Sequence, residues 1–363
     1  MPAFDRGGAS RSRERVRYRI VMTRGALVTV ALALLLGSSA DDLRVSLRTT
    51  AAAYYAKMAA IAPVAGPDTT YDYYERLRDD ADTLDASAVP AGYTAQEWSV
   101  LVRRTATLDL SLAQQLLGGQ FTDPASIRGL GETLVRSSRD GAMQPVAIYV
   151  PSSYRAARPA PVIVWLHGRP QSESELLATP GLTDLAEQTG SILVAPWGHG
   201  YYNFRGSAED VYDALHAAQR AFAVDPRKQF LAGYSMGGFS VFEVAPVHPT
   251  QWAAVMSVAG SLLGTNAQRV LSTLARTPFY ILTGTKDDSI PTQFPATTAV
   301  YLAQAGVGVS FYSQPGGTHR LVTILPILNQ AFHDMLSGIV RTPPAGFMAT
   351  ALPASIPPMT MRP

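Results

Sequence analysis

The sequence contains no cysteine in its 363 residues. This absence excludes disulfides, thiolate metal sites, a cysteine nucleophile and a lipid-modified N-terminal cysteine, because each of them needs a thiol. Lysine is almost as rare, and occurs only at Lys57, Lys228 and Lys286. Long apolar runs are also missing, since the run at residues 26–36 is well short of the roughly 20 residues that a membrane-spanning helix needs.

The composition that remains is that of a globular protein. Hydrophobic residues make up 47% of the chain and charged residues 16%, which excludes the hydrophobic-poor, charge-rich composition of disordered proteins. This is enough apolar material for one large core, or for a core and a small accessory domain.

The first forty residues have the pattern of an export signal. Seven arginines precede the short apolar run, and Ser38, Ser39 and Ala40 then offer the small residues of a cleavage site. We predict a signal peptide over residues 1–40 and a secreted or periplasmic mature protein. An uncleaved N-terminal anchor and a buried helix are the alternatives.

Removal of this segment changes the charge of the chain. The segment carries seven arginines against Asp5 and Glu14, so the formal net charge falls from +2 to about −3 on cleavage. The sequence pI near 8.8 therefore belongs mostly to the signal. We expect no nucleic-acid partner, and no stable membrane partner once the signal is cleaved.

Residues 41–130 have helical periodicity. Apolar positions predict a first helix around residues 43–58, which Pro63, Gly66 and Pro67 should end, and a second over residues 71–84. Thr94 is the predicted N-cap of a third helix, which ends before the glycines at residues 118–119. The segment has no nucleophile, metal cluster or glycine-rich loop, so we predict a helical extension that packs beside the main domain. A role in substrate binding is the alternative.

Residues 131–341 alternate between strand and helix patterns, which is typical of an open, mostly parallel sheet with helices on both faces. Helices are clearest at residues 208–222 and 292–305. The tail at residues 342–363 is rich in proline and is expected to be extended or disordered. The predicted strands are residues 145–150, 161–166, 191–195, 229–232, 253–259, 278–283 and 307–312.

One motif predicts a serine nucleophile. Gly233, Ser235 and Gly237 follow an apolar strand and precede a helix-compatible run, as in a turn that exposes a serine hydroxyl and lets the chain reverse without clashes. The Met236 N–H at the start of that helix is the predicted first oxyanion donor. An inert serine in a tight turn is the alternative.

Serine needs a base to take its proton. Among the six histidines, His319 lies after the last predicted strand in a glycine-containing loop, which is where a base is expected. His199 lies in a glycine-rich loop ahead of the nucleophile, and His248 lies at a helix end, where a capping role is plausible. His167 belongs to the oxyanion segment considered below, and the remaining two, His216 and His333, lie in helical patterns.

The orienting acid should follow the strand after the nucleophile region. Two adjacent candidates, Asp287 and Asp288, occur there, and we predict Asp287 because its spacing from the preceding glycine and the following Ile-Pro suits an acid loop. The chain order serine, aspartate, histidine is the one expected for this kind of fold.

A second oxyanion donor is predicted at the end of the strand at residues 161–166. Gly168 permits a close approach of the backbone, and the N–H of Arg169 is the expected donor. The Arg169 side chain has two alternative roles that the sequence does not separate: it binds a substrate carboxylate, or it is a surface charge in a loop.

With these residues in place, the chain from about residue 137 to 338 resembles the α/β-hydrolase superfamily. The resemblance is strongest to secreted esterases, polyhydroxybutyrate-depolymerase-like enzymes and prolyl-oligopeptidase-type catalytic domains. It does not cover residues 41–130, and no propeller domain is present in the sequence. The matching residues are Asp140, Gln144, Tyr149, Tyr154, residues 211–222, Asp225, Pro226, Ser235, Met236, Gly237, Gly238, His248, Asp287 and His319.

The resemblance implies a serine hydrolase that cleaves carboxylic esters, of small molecules or polymers, through an acyl-enzyme on Ser235. No cofactor or metal is expected. A serine peptidase acting on short peptides is the alternative within enzymes, and a non-catalytic binding protein on a hydrolase scaffold is the alternative of another class. The oligomeric state is left open.

Overall fold

The computed structural model describes residues 39–84, 88–200, 204, 206–341 and 352–355. The predicted signal peptide lies outside the described residues, apart from Ser39 and Ala40, and so does most of the proline-rich tail. Of that tail, Leu352 packs against the core and Pro353 accepts a hydrogen bond from the Gly264 N–H, 2.9 Å long.

Three helices come first in the described chain: α1 (Ala40–Ala65), α2 (Pro67–Thr83) and α3 (Ala95–Gly118). Of the three residues predicted to end the first helix, Gly66, with φ of 84°, does end it, whereas Pro63 lies inside the helix, whose last turn includes the buried Ala65. The predicted start of the second helix at residue 71 is wrong. Pro67 occupies its first turn, where a missing N–H costs nothing.

These helices form a core of their own. Leu134 of the first strand also packs into this core, so the three helices, which we call the helical extension, lie against one end of the sheet. The buried side chains of this core include Leu43, Leu47, Tyr54, Tyr73, Leu77, Ala106 and Leu110.

A single eight-stranded sheet follows, in the spatial order β1-β2-β4-β3-β5-β6-β7-β8. The β1–β2 and β2–β4 pairs are antiparallel and all the other pairs are parallel. The strands are β1 (Gly129–Arg136), β2 (Met143–Val150), β3 (Ala160–Leu166), β4 (Ile192–Pro196), β5 (Val224–Tyr234), β6 (Ala254–Val258), β7 (Phe279–Gly284) and β8 (Val309–Gln314).

Strand β1 was not predicted, because two glycines and Glu132 interrupt its apolar pattern. It forms a strand nevertheless, because it pairs with β2 along its whole length. The other seven strands were predicted. The largest difference in bounds is at β5, which begins five residues before the predicted start.

Helices cover both faces of the sheet. Neighbouring residues of β3 enter different apolar clusters, Val162 and Val164 in one and Ile163 and Trp165 in the other, as side chains that alternate across a strand must. The helices are α4 (Glu173–Ala178), α5 (Leu182–Thr189), α6 (Ala208–Ala221), α7 (Met236–Val244), α8 (Gly264–Leu274), α9 (Gln293–Gln304) and α10 (Leu325–Ser337).

This strand order, with a reversed second strand and helices on both faces, is that of the α/β-hydrolase fold, so the predicted fold class is confirmed. Among the described residues, no helix has the length and apolar character needed to cross a membrane.

Candidate active site

Ser235 lies at the sharp turn between β5 and α7. Its backbone has φ of 53° and ψ of −115°, a conformation that side-chain-bearing residues rarely adopt and that is often found at functional sites. Its N–H donates to the Val258 carbonyl of β6 over 2.8 Å. A methyl group at Gly233 would overlap the Gly237 carbonyl, and one at Gly237 would overlap the Leu166 carbonyl. The glycines of the motif are therefore required by packing.

His319, in the loop after β8, contacts the serine hydroxyl. Its Nε2 lies 2.8 Å from Ser235 Oγ, and its Nδ1 lies 2.7 Å from Asp287 Oδ2. A carboxylate at Nδ1 favours the tautomer with its proton there, which leaves Nε2 free to accept the serine proton. Tyr234 supports the imidazole, since its hydroxyl donates to the His319 carbonyl over 2.7 Å.

Of the two adjacent acids, the structure places Asp287 against the imidazole, whereas Asp288 is exposed to solvent. Asp287 is buried, and its Oδ1 accepts from the N–H groups of Ser289 and Ile290 at 3.0 and 2.7 Å. These bonds hold the carboxylate in one orientation while Oδ2 faces His319.

The loops that carry Asp287 and His319 are held directly to each other. The Lys286 N–H donates to the Gly317 carbonyl over 2.7 Å. Gly284 and Gly317 pack so closely that a methyl group on Gly284 would overlap the Gly317 backbone. Contact between the two loops thus sets the separation of acid and base.

The predicted oxyanion residues lie on the other side of Ser235. Met236 is the first residue of α7, where backbone N–H groups have no intrahelical acceptor. Gly168 packs beside Ser235, since a Cβ built on it would lie 3.2 Å from Ser235 Cβ. Its N–H donates to Gln171 Oε1 at 3.4 Å, and the next residue, Arg169, has an exposed side chain.

Two of the other histidines have structural contacts instead. His199 lies between two carboxylates, with Nδ1 2.5 Å from Asp210 Oδ2 and Nε2 2.9 Å from Asp140 Oδ2. The ring of His248 packs edge-on against Tyr212, 4.4 Å between centroids. His216 and His333 are exposed on helices.

The helical extension reaches this site, which the sequence did not reveal. In the loop between α2 and α3, a Cβ built on Gly92 would lie 3.0 Å from Thr323 Cγ2 and 3.5 Å from Arg320 Cγ, close to His319 in the chain. Burial, with a contribution from Glu175, raises the pKa of the neighbouring Tyr93 to about 12. The contact joins segments that are far apart in sequence, so no local motif signals it.

Buried charges of the helical extension also contact the segment that follows the predicted oxyanion residues. Arg76 makes two 2.8 Å hydrogen bonds to the carboxylate of Glu173, at the start of α4. Burial alone would raise the pKa of Glu173. The charge and hydrogen bonds of Arg76 outweigh this effect, so the pKa of Glu173 lies below its usual value. Nearby, burial raises the pKa of Asp109 to about 6, and burial and Glu173 raise that of Glu132.

Metal ligation is not indicated within the described part of the chain, where no group of three or more histidine, aspartate or glutamate side chains is arranged to hold an ion. The chemistry that the arrangement supports is nucleophilic attack by Ser235 with His319 as base.

No known family model matches the sequence, and no curated protein matches it. Similar solved structures include a fluorophosphonate-binding serine hydrolase of Staphylococcus aureus, 15% identical, covering 57% of this chain and 98% of that chain, with a TM-score of 0.48. A ferulic acid esterase from Anaeromyces mucronatus is 15% identical and covers 58% and 91% of the two chains, with a TM-score of 0.48. A dipeptidyl aminopeptidase IV homologue of Bacteroides ovatus is 13% identical and covers 58% and 36%, with a TM-score of 0.47.

Proposed function

We propose that this protein is a serine hydrolase that cleaves carboxylic esters. The observation that supports it is the continuous chain of hydrogen bonds from Ser235 Oγ to His319 Nε2 and from His319 Nδ1 to Asp287 Oδ2, 2.8 and 2.7 Å long. The three side chains come from three loops at the carboxyl ends of parallel strands, which is where catalytic groups of such sheets are found.

The proposed reaction has two halves. Ser235 Oγ attacks the ester carbonyl while His319 takes its proton, and the N–H groups of Met236 and Arg169 stabilise the oxyanion. His319 then donates the proton to the departing alcohol, which leaves an acyl group on Ser235. Water, deprotonated by His319, then attacks this acyl-enzyme; the bond to Ser235 Oγ breaks, His319 returns the proton to Oγ, and the acid is released. Asp287 keeps the imidazole oriented and stabilises its charged form throughout.

A fluorophosphonate probe tests the nucleophile without a known substrate. The wild-type protein should be labelled at Ser235 and should hydrolyse short-chain esters, and Ser235→Ala should lose both properties while it remains folded by circular dichroism. Retained turnover in Ser235→Ala would exclude Ser235 as the nucleophile. An unlabelled and inactive wild-type protein would instead support a non-catalytic binding protein.

Esters are proposed over peptides because an alcohol leaves more readily than an amine, so the triad and oxyanion donors suffice for useful rates. We expect kcat/KM for natural short-chain esters to exceed that for matched peptides by at least about tenfold, or about 1.4 kcal/mol. Efficient peptide cleavage with negligible turnover of natural esters would identify a peptidase instead.

We also propose that the mature protein is exported and begins near Asp41. Ser39 is the N-cap of α1 and forms a reciprocal capping box with Asp42, so cleavage after Ala40 removes the cap and the first turn of α1 should fray. N-terminal sequencing of protein recovered outside the cytoplasm tests this, and an intact Met1 in a membrane fraction would favour an anchor.

A further inference from the structure

The segment at residues 167–172, which we call the oxyanion loop, connects β3 to α4 and passes beside Ser235. At its start, the His167 carbonyl accepts the Gly237 N–H over 3.1 Å, a direct link to the nucleophile turn. A shift of His167 would therefore be transmitted to both Gly168 and the turn that carries Ser235.

Trp197 supports the start of the oxyanion loop. The His167 and Trp197 rings stack with 5.3 Å between centroids and an interplanar angle of 17°. His167 Nε2 also lies 3.1 Å from the Trp197 carbonyl oxygen, and Nδ1 lies 2.9 Å from that of Gly168. Both rings are fully buried, so the position of Trp197 determines that of His167.

The end of the oxyanion loop is held by the helical extension. Glu173 directly follows the loop and is fully buried, and Arg76 of α2 binds both of its carboxylate oxygens at 2.8 Å. Ser174 donates to Asp109 of α3 over 2.7 Å. Helices α2 and α3 of the extension thus hold the first turn of α4.

Arg76 contacts the supports of both ends of the loop. Besides its bidentate bond to Glu173, its guanidinium carbon lies 3.9 Å from the centroid of the Trp197 ring. A flat, forked cation is required for this arrangement, because lysine offers neither two parallel N–H donors nor a planar surface to stack on an indole.

We propose that Arg76 is a positioning residue for the oxyanion loop, and that the helical extension is consequently required for full catalytic rate. The proposal rests on the hydrolase function proposed above. Arg76 touches no reacting atom; it acts through Glu173 and Trp197 on the backbone N–H groups beside Ser235. A misplacement of about 1 Å in such a site costs on the order of 100-fold in rate.

Two variants test this. Arg76→Lys keeps the charge but loses the fork and the planar surface. The double variant Arg76→Met/Glu173→Gln removes both members of the bidentate pair, which avoids leaving the Glu173 carboxylate buried and unpaired. Asp109, whose Oδ1 lies 3.7 Å from the Arg76 guanidinium, keeps the Ser174 hydroxyl as a donor in this variant. Thr69→Val is the matched control, because Thr69 is also buried on α2 and its hydroxyl bonds Gln144 of β2, away from the loop.

We expect both test variants to lower kcat for an ester by about tenfold or more, with KM changed by less than about threefold. The rate constant for phosphonylation of Ser235 by the fluorophosphonate should fall in parallel, and Thr69→Val should match the wild type in both assays. All rates are measured at a temperature well below the Tm of each variant.

Wild-type kcat and phosphonylation rates in the folded variants, even with a lowered Tm, would show that Arg76 only stabilises the fold and would overturn the proposal. A wild-type protein that neither reacts with the probe nor hydrolyses esters would instead refute the proposed function, so the two failures are distinguishable.

Discussion

Asp287 and Asp288 are neighbours in the chain with opposite surroundings. The first is buried, accepts two backbone N–H groups and contacts His319, whereas the second is exposed. The sequence spacing favoured Asp287, but nothing in the residue types alone separates two adjacent carboxylates. The folded loop separates them, because it buries Asp287 and leaves Asp288 exposed.

The two acids provide a matched pair of variants. Asp287→Asn should lower kcat by about 10⁴-fold, because an amide favours the wrong imidazole tautomer and cannot stabilise the imidazolium. Asp288→Asn should change kcat little. Steady-state kinetics on one ester measure both, and a large loss in Asp288→Asn alone would mean that the acid is misassigned by one position.

His199 links two distant acidic residues, Asp140 before β2 and Asp210 of α6. Its bonds to these two carboxylates outweigh burial and raise its pKa above the usual value. A histidine whose pKa is higher in the folded state stabilises the fold most below its unfolded pKa of about 6.5. That stabilisation is lost as the pH rises through the folded-state pKa.

His199→Asn should therefore destabilise the protein most at acidic pH. We expect the difference in unfolding free energy between wild type and variant to be largest near pH 5.5 and to shrink at alkaline pH. Asparagine tolerates the positive φ of 63° at this position, so backbone strain does not confuse the comparison. Urea unfolding across this pH range measures it, and a pH-independent difference would contradict the assigned ion pairs.

At the scale of elements, α3 shows local sequence and structure in agreement. Thr94 Oγ1 accepts the Glu97 N–H at 3.2 Å, and the Glu97 carboxylate accepts the Thr94 N–H at 2.7 Å. The predicted cap is thus a full capping box. In α1, by contrast, the local signal at Pro63 failed because the helix is held by its buried face.

Thr94→Ala should lower the free energy of unfolding by about 1 kcal/mol, since the Glu97 N–H loses its side-chain acceptor and the Glu97 carboxylate loses the Thr94 hydroxyl. Ser99→Ala, at an exposed position within the same helix, is the control and should change stability by less than about 0.5 kcal/mol. Equal effects of the two substitutions in chemical denaturation would show that the capping box contributes nothing.

At the scale of the whole molecule, carboxyl groups are buried where the helical extension meets the sheet domain. Burial raises the pKa of Asp109 to about 6 and, together with Asp109, that of Glu175 to about 7. Acids with raised pKa values bind protons more tightly in the folded state, so their protonation stabilises it. This stabilisation is complete below the unfolded pKa of about 4 and is lost as the pH rises towards 7.

We therefore expect the free energy of unfolding to fall between about pH 4.5 and pH 7.5. Asp109→Asn should flatten this dependence, because an amide cannot ionise while its oxygen still accepts the Ser174 hydroxyl. Asp288→Asn, at an exposed acid, should leave the dependence unchanged. A pH profile of urea unfolding that is as steep in Asp109→Asn as in the wild type would rule out this assignment.

Much of the fold and of the candidate site followed from local pattern. Seven of the eight strands were recognisable as apolar runs between turn residues, and β1 was not, because Glu132 and its glycines hide it. Ser235 was recognisable because its motif needs glycine on both sides for steric reasons, and His319 and Asp287 because each follows a strand that ends at the same edge of the sheet.

The sequence by itself determined the sheet and the loops that carry the three site residues, because strand periodicity and glycine positions act over a few residues and leave a local signature. Only the tertiary structure decided that the helical extension lies against those loops. Arg76 and Glu173 are 97 residues apart, and a buried charge pair of this kind depends on packing of α2 against the sheet. The residue that pairs with Arg76 is determined by its position in the folded protein, and no residue near Arg76 in the sequence indicates which one it is.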